Sequence, residues 1–338
     1  MTPFASAIER IWPVERWRDV HVLLAVSGGA DSVAMLRAMV FLKRHHSGSG
    51  QLHVAHLNHG ARGAESDTEQ NWVAELCRRL GVPFWTSRVE IKESKTREGW
   101  EAAAREARYS FLTKTAEQIG ARFVATAHTV DDQVETILHR ILRGTGIDGL
   151  TGIPFTRALA PSVTLVRPML EVTRADVIAS LNELQQGYCK DSSNQSLDFT
   201  RNWIRHELLP SIRAHVNPDV NRALLRLAQQ AAEQRAEIAP RVDRLFAECV
   251  AVTEDRITIN TLALGTEKQS VLRELCRHAW KQANWPLRDM GFEQWQQLGE
   301  LMGASDSPAV TFPGAIRAEL RNRVLVLIRK VGQALPDG

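Results

Sequence analysis

The 338-residue chain reads as an α/β protein, a doubly wound parallel sheet followed by a smaller, mainly helical domain. Three observations carry that reading. Short apolar runs alternate with helix-period segments from Val20 to Ala127. A loop of small residues, Ser27-Gly28-Gly29-Ala30-Asp31-Ser32, stands where the first run passes into the first helical segment. Beyond Asn217-Pro218 the alternation gives way to long, Arg- and Gln-rich helical patterns. Strands that alternate with helices imply βαβ units and a parallel sheet covered on both faces. Right-handed crossovers then bring the loop after every parallel strand to one edge, where ligands bind in such sheets.

The strand runs are Val20–Val26, Leu52–Leu57, Phe84–Val89 and Arg122–Ala127. Between them Asp31–Lys43, Glu65–Leu80 and Glu98–Ile119 repeat apolar residues at helical spacing. A further helix is predicted over Asp131–Leu142, a strand at Thr164–Val166, and a helix over Thr173–Gln186 with Thr173 as its cap. "CKDSSNQSLDFTRN" is polar and loop-like, and "WIRHELLPSI" resumes an amphipathic helix. The change of character near residue 217 divides the chain into domains 1–217 and 218–338. The second has helices over Val220–Val250, Ser270–Ala283 and Glu293–Met302, with strands only at Arg256–Asn260 and Arg323–Ile328 as a short β remnant.

Hydrophobic residues make up 44% of the chain and charged residues 24%, the balance of a soluble globular protein. The net charge of +3 permits a nucleic-acid partner without arguing for one. Cys77, Cys189, Cys249 and Cys276 are far apart and form no C-x-x-C pair, so they read as reduced thiols of a cytoplasmic protein. The first residues carry charges where a signal peptide would be apolar. No apolar run approaches the roughly 20 residues that span a bilayer, which excludes a helical membrane protein.

Small residues after a strand let backbone N–H groups approach phosphate oxygens, and the following helix adds its positive end. The Ser27–Ser32 loop meets that need but lacks the G-x-x-x-x-G-K-[ST] spacing and its lysine. Asp31 would repel a polyanion unless a Mg²⁺ ion lay between carboxylate and phosphates. The plainer alternative is a strand–helix turn capped by Asp31 or Ser32.

The loop matches S-G-G-x-D-S and resembles the signature of the PP-loop ATP pyrophosphatases. That resemblance implies ATP cleaved between its α- and β-phosphates, with AMP left on an oxygen of the substrate. Further blocks narrow it: "HLNHGARGAESDTE" (His56–Glu69), "EAAAREARYSFL" (Glu101–Leu112), "ATAHTVDDQVETILHRILRGTGIDGLTGI" (Ala125–Ile153), "RPML" (Arg167–Leu170), "DSSN" (Asp191–Asn194) and "RNWIRHELLP" (Arg201–Pro210). In order, and over about residues 20–215, these resemble the tRNA(Ile)-lysidine synthetases. The resemblance implies adenylation of the carbon-2 oxygen of the wobble cytidine in a tRNA(Ile) with a CAU anticodon. The ε-amine of free L-lysine then displaces AMP and decoding switches from AUG to AUA. ATP and Mg²⁺ are the implied cofactors, and the resemblance leaves room for a homodimer.

Several residues are read in that light. Ser27, Gly28, Gly29, Ala30, Asp31 and Ser32 are expected to bind ATP, with Asp31 on the metal side. Asp131, Asp132 and Glu135 lie within one helical turn and would gather carboxylates for a cationic lysine, one of them taking a proton from its ammonium. An acidic first turn favoured by the helix dipole is the alternative. His128 would contact the adenylate or simply pack. Arg105 and Arg108 are candidates for phosphate or tRNA contact, although Arg105 also has the spacing of a surface ion pair with Glu101. Arg201 and Arg205 sit one turn apart, for tRNA backbone or pyrophosphate, or on a solvated face. Arg222, Arg226, Arg235, Arg241 and Arg244 would suit tRNA phosphates, or again a solvated face.

Other patterns are rejected. Gly144-Thr145-Gly146-Ile147-Asp148-Gly149 matches G-x-G-x-x-G but follows a helix, so it reads as a C-cap and loop. His53, His56 and His59 are spaced by threes on a strand and its exit, which sends successive side chains to opposite faces, so zinc is not expected. The stretch "HGARGAESDTE" reads as a lid over the strand ends. Three rivals remain. A PP-loop tRNA cytidine thiolation enzyme would need paired cysteines. A metabolite amidotransferase leaves the "DDQVET" and "RNWIRH" blocks unexplained. A non-catalytic tRNA-binding protein has no use for an intact loop.

Overall fold

A computed structural model describes residues 2–60, 63–89, 97–189, 200–287, 289–304 and 307–329. The chain forms two compact units, one of residues 1–145 with 149–228 and one of 146–148 with 229–338.

In the first unit α1 (Pro3–Ile11) precedes the alternating series β1 (His21–Ala25), α2 (Ala30–His45), β2 (Leu52–Asn58), α3 (Ala64–Leu80), β3 (Phe84–Arg88), α4 (Arg97–Gln118), β4 (Ala121–Ala125) and α5 (Val130–Leu142). After a short α6 (Ile147–Leu150), whose first two residues count with the second unit, come β5 (Thr156–Ala160), β6 (Val163–Val166) and α7 (Arg174–Glu183). The sheet order is β3-β2-β1-β4-β6-β5. Every neighbouring pair is parallel except β5 with β6. The fold class and elements read from the sequence are therefore present. The edge strand β5, whose residues TRALA are largely exposed, had no apolar signal to announce it.

Strand periodicity explains the layering. Val22 and Leu24 of β1 face one cluster with Val33, Leu36 and Met39 of α2 and Ile8 of α1. Leu23 faces the other, with Val124, Leu165 and Leu112 of α4. Burial on both faces is what makes such strands continuous apolar runs. Because β1 pairs with both β2 and β4, the chain reverses its direction of travel across the sheet between them, and the loops leaving β1 and β4 flank that switch point.

The segment read as one amphipathic helix is α8 (Thr200–Trp203), a π-helical stretch at Ile204–Leu208 and α9 (Leu209–His215). Pro210 lacks the N–H that would continue an α-helical ladder, and a wider turn before it accommodates that loss. Ile204 and Leu209 pack on Val134, Ile137 and Leu138 of α5 and on Val220 and Leu224 of the following helix.

That helix, α10 (Val220–Cys249), contains the division between the units at 228/229, not at 217. The second unit has β7 (Val250–Val252), β8 (Arg256–Asn260), α11 (Gln269–Gln282), α12 (Phe292–Leu301), β9 (Ser307–Phe312), β10 (Ile316–Arg321) and β11 (Val324–Arg329). Its helices lie where the helical pattern puts them. Its sheet is larger than a remnant: among the described residues it has five strands in the order β7-β8-β11-β10-β9, all antiparallel. β10, IRAELR, buries only alternate residues, and its Arg and Glu on the open face hide the strand from a search for apolar runs. Trp280 centres this core, edge-on to Trp285 at 5.1 Å and to Trp295 at 5.4 Å. Among the described residues no helix is long and apolar enough to cross a membrane.

Candidate active site

The loop after β1 is built by short-range bonds. The Ser27 N–H donates to Ser32 Oγ at 3.2 Å, and the Ser32 hydroxyl donates to Gly29 O at 2.9 Å. Gly28 adopts φ +97°, a region that side chains avoid, and its carbonyl accepts the Cys189 N–H at 3.0 Å. Gly29 caps α2 without any side chain, so Ala30 opens the helix with its first N–H groups free of a side-chain cap. A helix end of that kind favours an anion.

Asp31 occupies the second position of α2. One carboxylate oxygen, Oδ2, accepts from the Arg174 guanidinium, while Oδ1 is buried without a hydrogen-bond partner. Burial pushes the Asp31 carboxyl up to about 6, with Arg174 pulling it down and Asp132 adding to the rise. The orphaned carboxylate oxygen fits a divalent cation, and the helix N-terminus beside it fits the phosphates that such a cation accompanies. Mg²⁺ commonly takes one or two carboxylates and completes its shell with water and substrate phosphates. No group of three or more metal-ligating side chains gathers among the described residues, so the protein offers Mg²⁺ a foothold and not a cage.

Across the switch point, α5 starts from Thr129. The Thr129 N–H and hydroxyl both donate to Asp132 Oδ2, at 2.8 and 3.2 Å, a capping box that fixes the carboxylate. The Val130 N–H donates to Val172 O, and the Arg174 N–H donates to Asp131 Oδ2 at 2.8 Å, tying this turn to the start of α7. The three carboxylates therefore do not share one face. Asp132 and Glu135, three residues apart, turn together toward α8, whereas Asp131, four residues before Glu135 and so able to join them by spacing, is drawn to the Arg174 N–H of α7.

Asp132 and Glu135 already hold partners. Arg201 donates from Nη2 to Asp132 Oδ1 at 2.9 Å and from Nε to Glu135 Oε2 at 3.0 Å. Arg205 donates from Nε and Nη2 to the two Glu135 oxygens, at 2.5 and 3.0 Å, and lies 3.5 Å from Asp132 Oδ1. Glu135 is 2% exposed, and the two arginines are 43% and 37% exposed. Burial raises Asp132, but Arg201, His128, the Thr129 N–H and Arg205 outweigh it and hold its carboxyl below the usual range. Burial lowers Arg205, yet Glu135 and Asp132 raise it further than burial lowers it. The two arginines expected on tRNA or on a solvated face are thus the internal counterions of the acidic turn.

His128 follows β4, its Nδ1 3.0 Å from Thr126 Oγ1. Burial, with Arg167, Arg201 and Arg105 nearby and Asp132 opposing, holds the imidazole down to about 4, so it is neutral at physiological pH. Arg105 lies over the Tyr109 ring at 5.1 Å and Arg157 lies over the same ring at 4.2 Å. Arg167 is buried, donates to Pro154 O at 2.5 Å, and is lowered by burial and by Arg157 and Arg105. Arg108 helps depress His59, at the exit of β2, to about 4, after burial.

Sequence reasoning missed Arg174, which reaches the nucleotide loop from 143 residues away. One local signal was present: a cation in the first turn of α7 opposes that helix's dipole. Thr173 caps α7 as expected, its hydroxyl accepting the Asp176 N–H. Gly144, at φ +73°, follows the α5 C-cap Arg143. His56 Nδ1 lies 2.9 Å from Val26 O, and His53 Nδ1 accepts from the Trp85 indole N–H at 3.3 Å. Much of the stretch read as a lid is the first turn of α3, entered through Gly60 and Gly63 at positive φ; its residues 61–62 lie outside the described residues. So does the "DSSN" block.

Residues 4–212 match the PP-loop domain family. The chain is 37% identical to a tRNA(Ile)-lysidine synthase of Solibacter usitatus, over 84% of this chain and 62% of that protein. It is 31% identical to a tRNA(Ile)-lysidine synthase of Rhodopirellula baltica, over 95% of this chain and 94% of that one. Among solved structures, a U34-tRNA thiolase from Methanococcus maripaludis with its [4Fe-4S] cluster superposes with a TM-score of 0.56 at 13% identity, covering 68% of this chain and 78% of that one. At that identity the likeness speaks for the fold alone.

Proposed function

The chain belongs to the tRNA(Ile)-lysidine synthase family, and from that membership we propose that it ligates free L-lysine to carbon 2 of the wobble cytidine of a tRNA(Ile) with a CAU anticodon. The observation that carries the reading to this chain's own residues is Asp31, a carboxylate with one unpartnered oxygen at the uncapped start of α2. In this reading the loop Ser27–Ser32 holds ATP through its N–H groups, with Asp31 on the side of the Mg²⁺ that accompanies the phosphates. When bound, Mg²⁺ would neutralise phosphate charge as it develops.

The cytidine O2 attacks the α-phosphorus and pyrophosphate leaves. The lysine ε-amine then attacks carbon 2, a C–N bond forms, the C–O bond to AMP breaks, and the amine's proton passes to a carboxylate. Of the acidic turn, Glu135 has both oxygens occupied by guanidinium groups, whereas among the described residues Asp131 accepts a single backbone N–H, on Oδ2. Asp131 is therefore the carboxylate available to the ammonium and its proton, while Asp132 and Glu135 hold Arg201 and Arg205 in position. Both arginines keep N–H groups beyond those bonds for an anionic group of lysine or tRNA. Neutral His128, with Arg105 and Arg108, lines the adjacent strand ends for the adenylate and the tRNA backbone. A cytoplasmic location follows from such a substrate.

The thiolation alternative is not favoured. Cys77, Cys249 and Cys276 are buried, and no cluster able to hold a metal forms among the described residues.

Purified protein given ATP, Mg²⁺, lysine and the CAU tRNA is expected to release AMP and pyrophosphate and to incorporate labelled lysine. Asp31→Ala should abolish incorporation. No incorporation, or incorporation indifferent to that substitution, overturns the reading. Labelling that persists after the wobble cytidine is replaced would mean that the target base is wrong.

A further inference from the structure

We propose that Arg174 is the residue that receives the β,γ-phosphate charge of the nucleotide, exchanging its bond to Asp31 for one to phosphate when ATP arrives. This inference rests on the nucleotide reading given above. It starts from two groups that share one place with signs that ATP would reverse. Asp31 stands in a loop shaped for a polyanion, where a carboxylate alone would be repelled. Arg174 stands in the first turn of α7, and its guanidinium reaches the start of α2. Both are positive helix ends, at which a cation is disfavoured. Paired, the two groups cancel each other. With ATP and its metal present, each gains a better partner: the carboxylate faces a cation and the guanidinium faces phosphate.

Three further observations select Arg174 for this exchange over the other arginines near the loop. The Arg174 backbone is fixed, because its N–H donates to Asp131 Oδ2 at 2.8 Å and Thr173 caps the helix behind it. Only its side chain would need to turn. That side chain is 48% exposed, so the guanidinium can rehydrate as it turns away and leaves no buried cation behind. Arg201 and Arg205 each bridge two carboxylates, one of them the buried Glu135, and leaving that network would strand a buried charge. Arg174 also offers a planar fork of donors suited to bidentate phosphate contact. It spans the nucleotide loop and the acidic turn, through its side chain and its backbone respectively. The bond that it gives up is the one that leaves Asp31 Oδ2 free alongside the already unpartnered Oδ1.

The test is equilibrium binding by calorimetry on the full chain, in Mg²⁺ buffer, with ATP, AMP and inorganic pyrophosphate as separate ligands. Arg174→Met should weaken ATP and pyrophosphate at least tenfold and change AMP less than threefold. Arg174→Lys, which keeps the charge without the fork, should lie between. Thermal unfolding of both variants is expected near that of the wild type, since the Arg174 side chain is half exposed and its backbone bond to Asp131 is kept. If Arg174→Met does not fold, the Lys variant decides on the same ratio. Unchanged pyrophosphate affinity in a folded variant overturns the role of Arg174 while leaving the nucleotide reading intact. Equal weakening of AMP and ATP also overturns it, because that is the mark of a distorted loop. A wild-type protein that binds neither ATP nor pyrophosphate overturns the nucleotide reading itself, and this inference with it.

Discussion

Replacing Glu135 with Gln keeps the shape of the side chain and removes the charge around which α5 and the Thr200–His215 segment meet. Glu135 accepts three bonds from Arg201 and Arg205 at 2.5–3.0 Å and is all but excluded from water. Hydrogen bonds to charged groups contribute about 1.5–3 kcal/mol each, and stripping one partner from a buried pair costs about 3–5 kcal/mol. Three considerations reduce that figure here. Both guanidinium groups can rehydrate, both still reach Asp132, and Gln retains an acceptor oxygen. A destabilisation of about 2 kcal/mol is the resulting expectation. In a unit of this size it corresponds to a fall in Tm of about 4–8 °C. Thermal unfolding followed by circular dichroism measures it directly. A double-mutant cycle with Arg205→Met then isolates the pair, and a coupling of about 1 kcal/mol or more is expected for side chains in direct contact. A Tm within 1 °C of the wild type, or strictly additive single effects, would refute the idea that this network holds the two segments together.

Two other outcomes follow from the same geometry. Gly28→Ala places a side chain at φ +97°, and the added Cβ would lie at ordinary contact distance, 3.4 Å, from Cys189 Sγ and Val73 Cγ2. The cost is therefore in the backbone, about 1–2 kcal/mol. Calorimetry should show weakened ATP binding beside that loss of stability, and unchanged values of both would contradict the assigned loop conformation. His128 is held down to about 4, against 6.5 when unperturbed. Because its folded value is depressed, the stability tied to its neutral form is fully present above pH 6.5 and is lost as pH falls through 4. The slope in that window is at most about 1.4 kcal/mol per pH unit. Urea unfolding between pH 7 and pH 4 should show a shallower fall for His128→Gln than for the wild type, and parallel curves would remove His128 as the cause.

Much of the fold is legible because local physics and burial agree in the first unit. Val22 and Leu24 face one layer while Leu23 faces the other, so the strand is a continuous apolar run. The helices between the strands carry apolar residues at their own period. In the second unit that agreement weakens. β10 buries Ile316, Ala318 and Leu320 and exposes Arg317 and Arg321. β9 opens with Ser307 and Pro308 and is mostly exposed. A strand with one wet face leaves a diluted signal, and these two, with the three-residue β7, went unread beside the predicted β8 and β11.

The candidate site divides along a similar line. The Ser27–Ser32 loop and the spacing of Asp131, Asp132 and Glu135 are matters of neighbouring residues and are legible in the chain alone, together with the family they indicate. Which charge meets which was decided only by tertiary structure. Arg174 reaches Asp31 across 143 positions, and Arg205 reaches Glu135 across 70. The reason is physical. A helix or a cap is set by bonds between residues a few positions apart, whereas a buried carboxylate takes as its partner whatever cation the packing of distant segments brings within 3 Å.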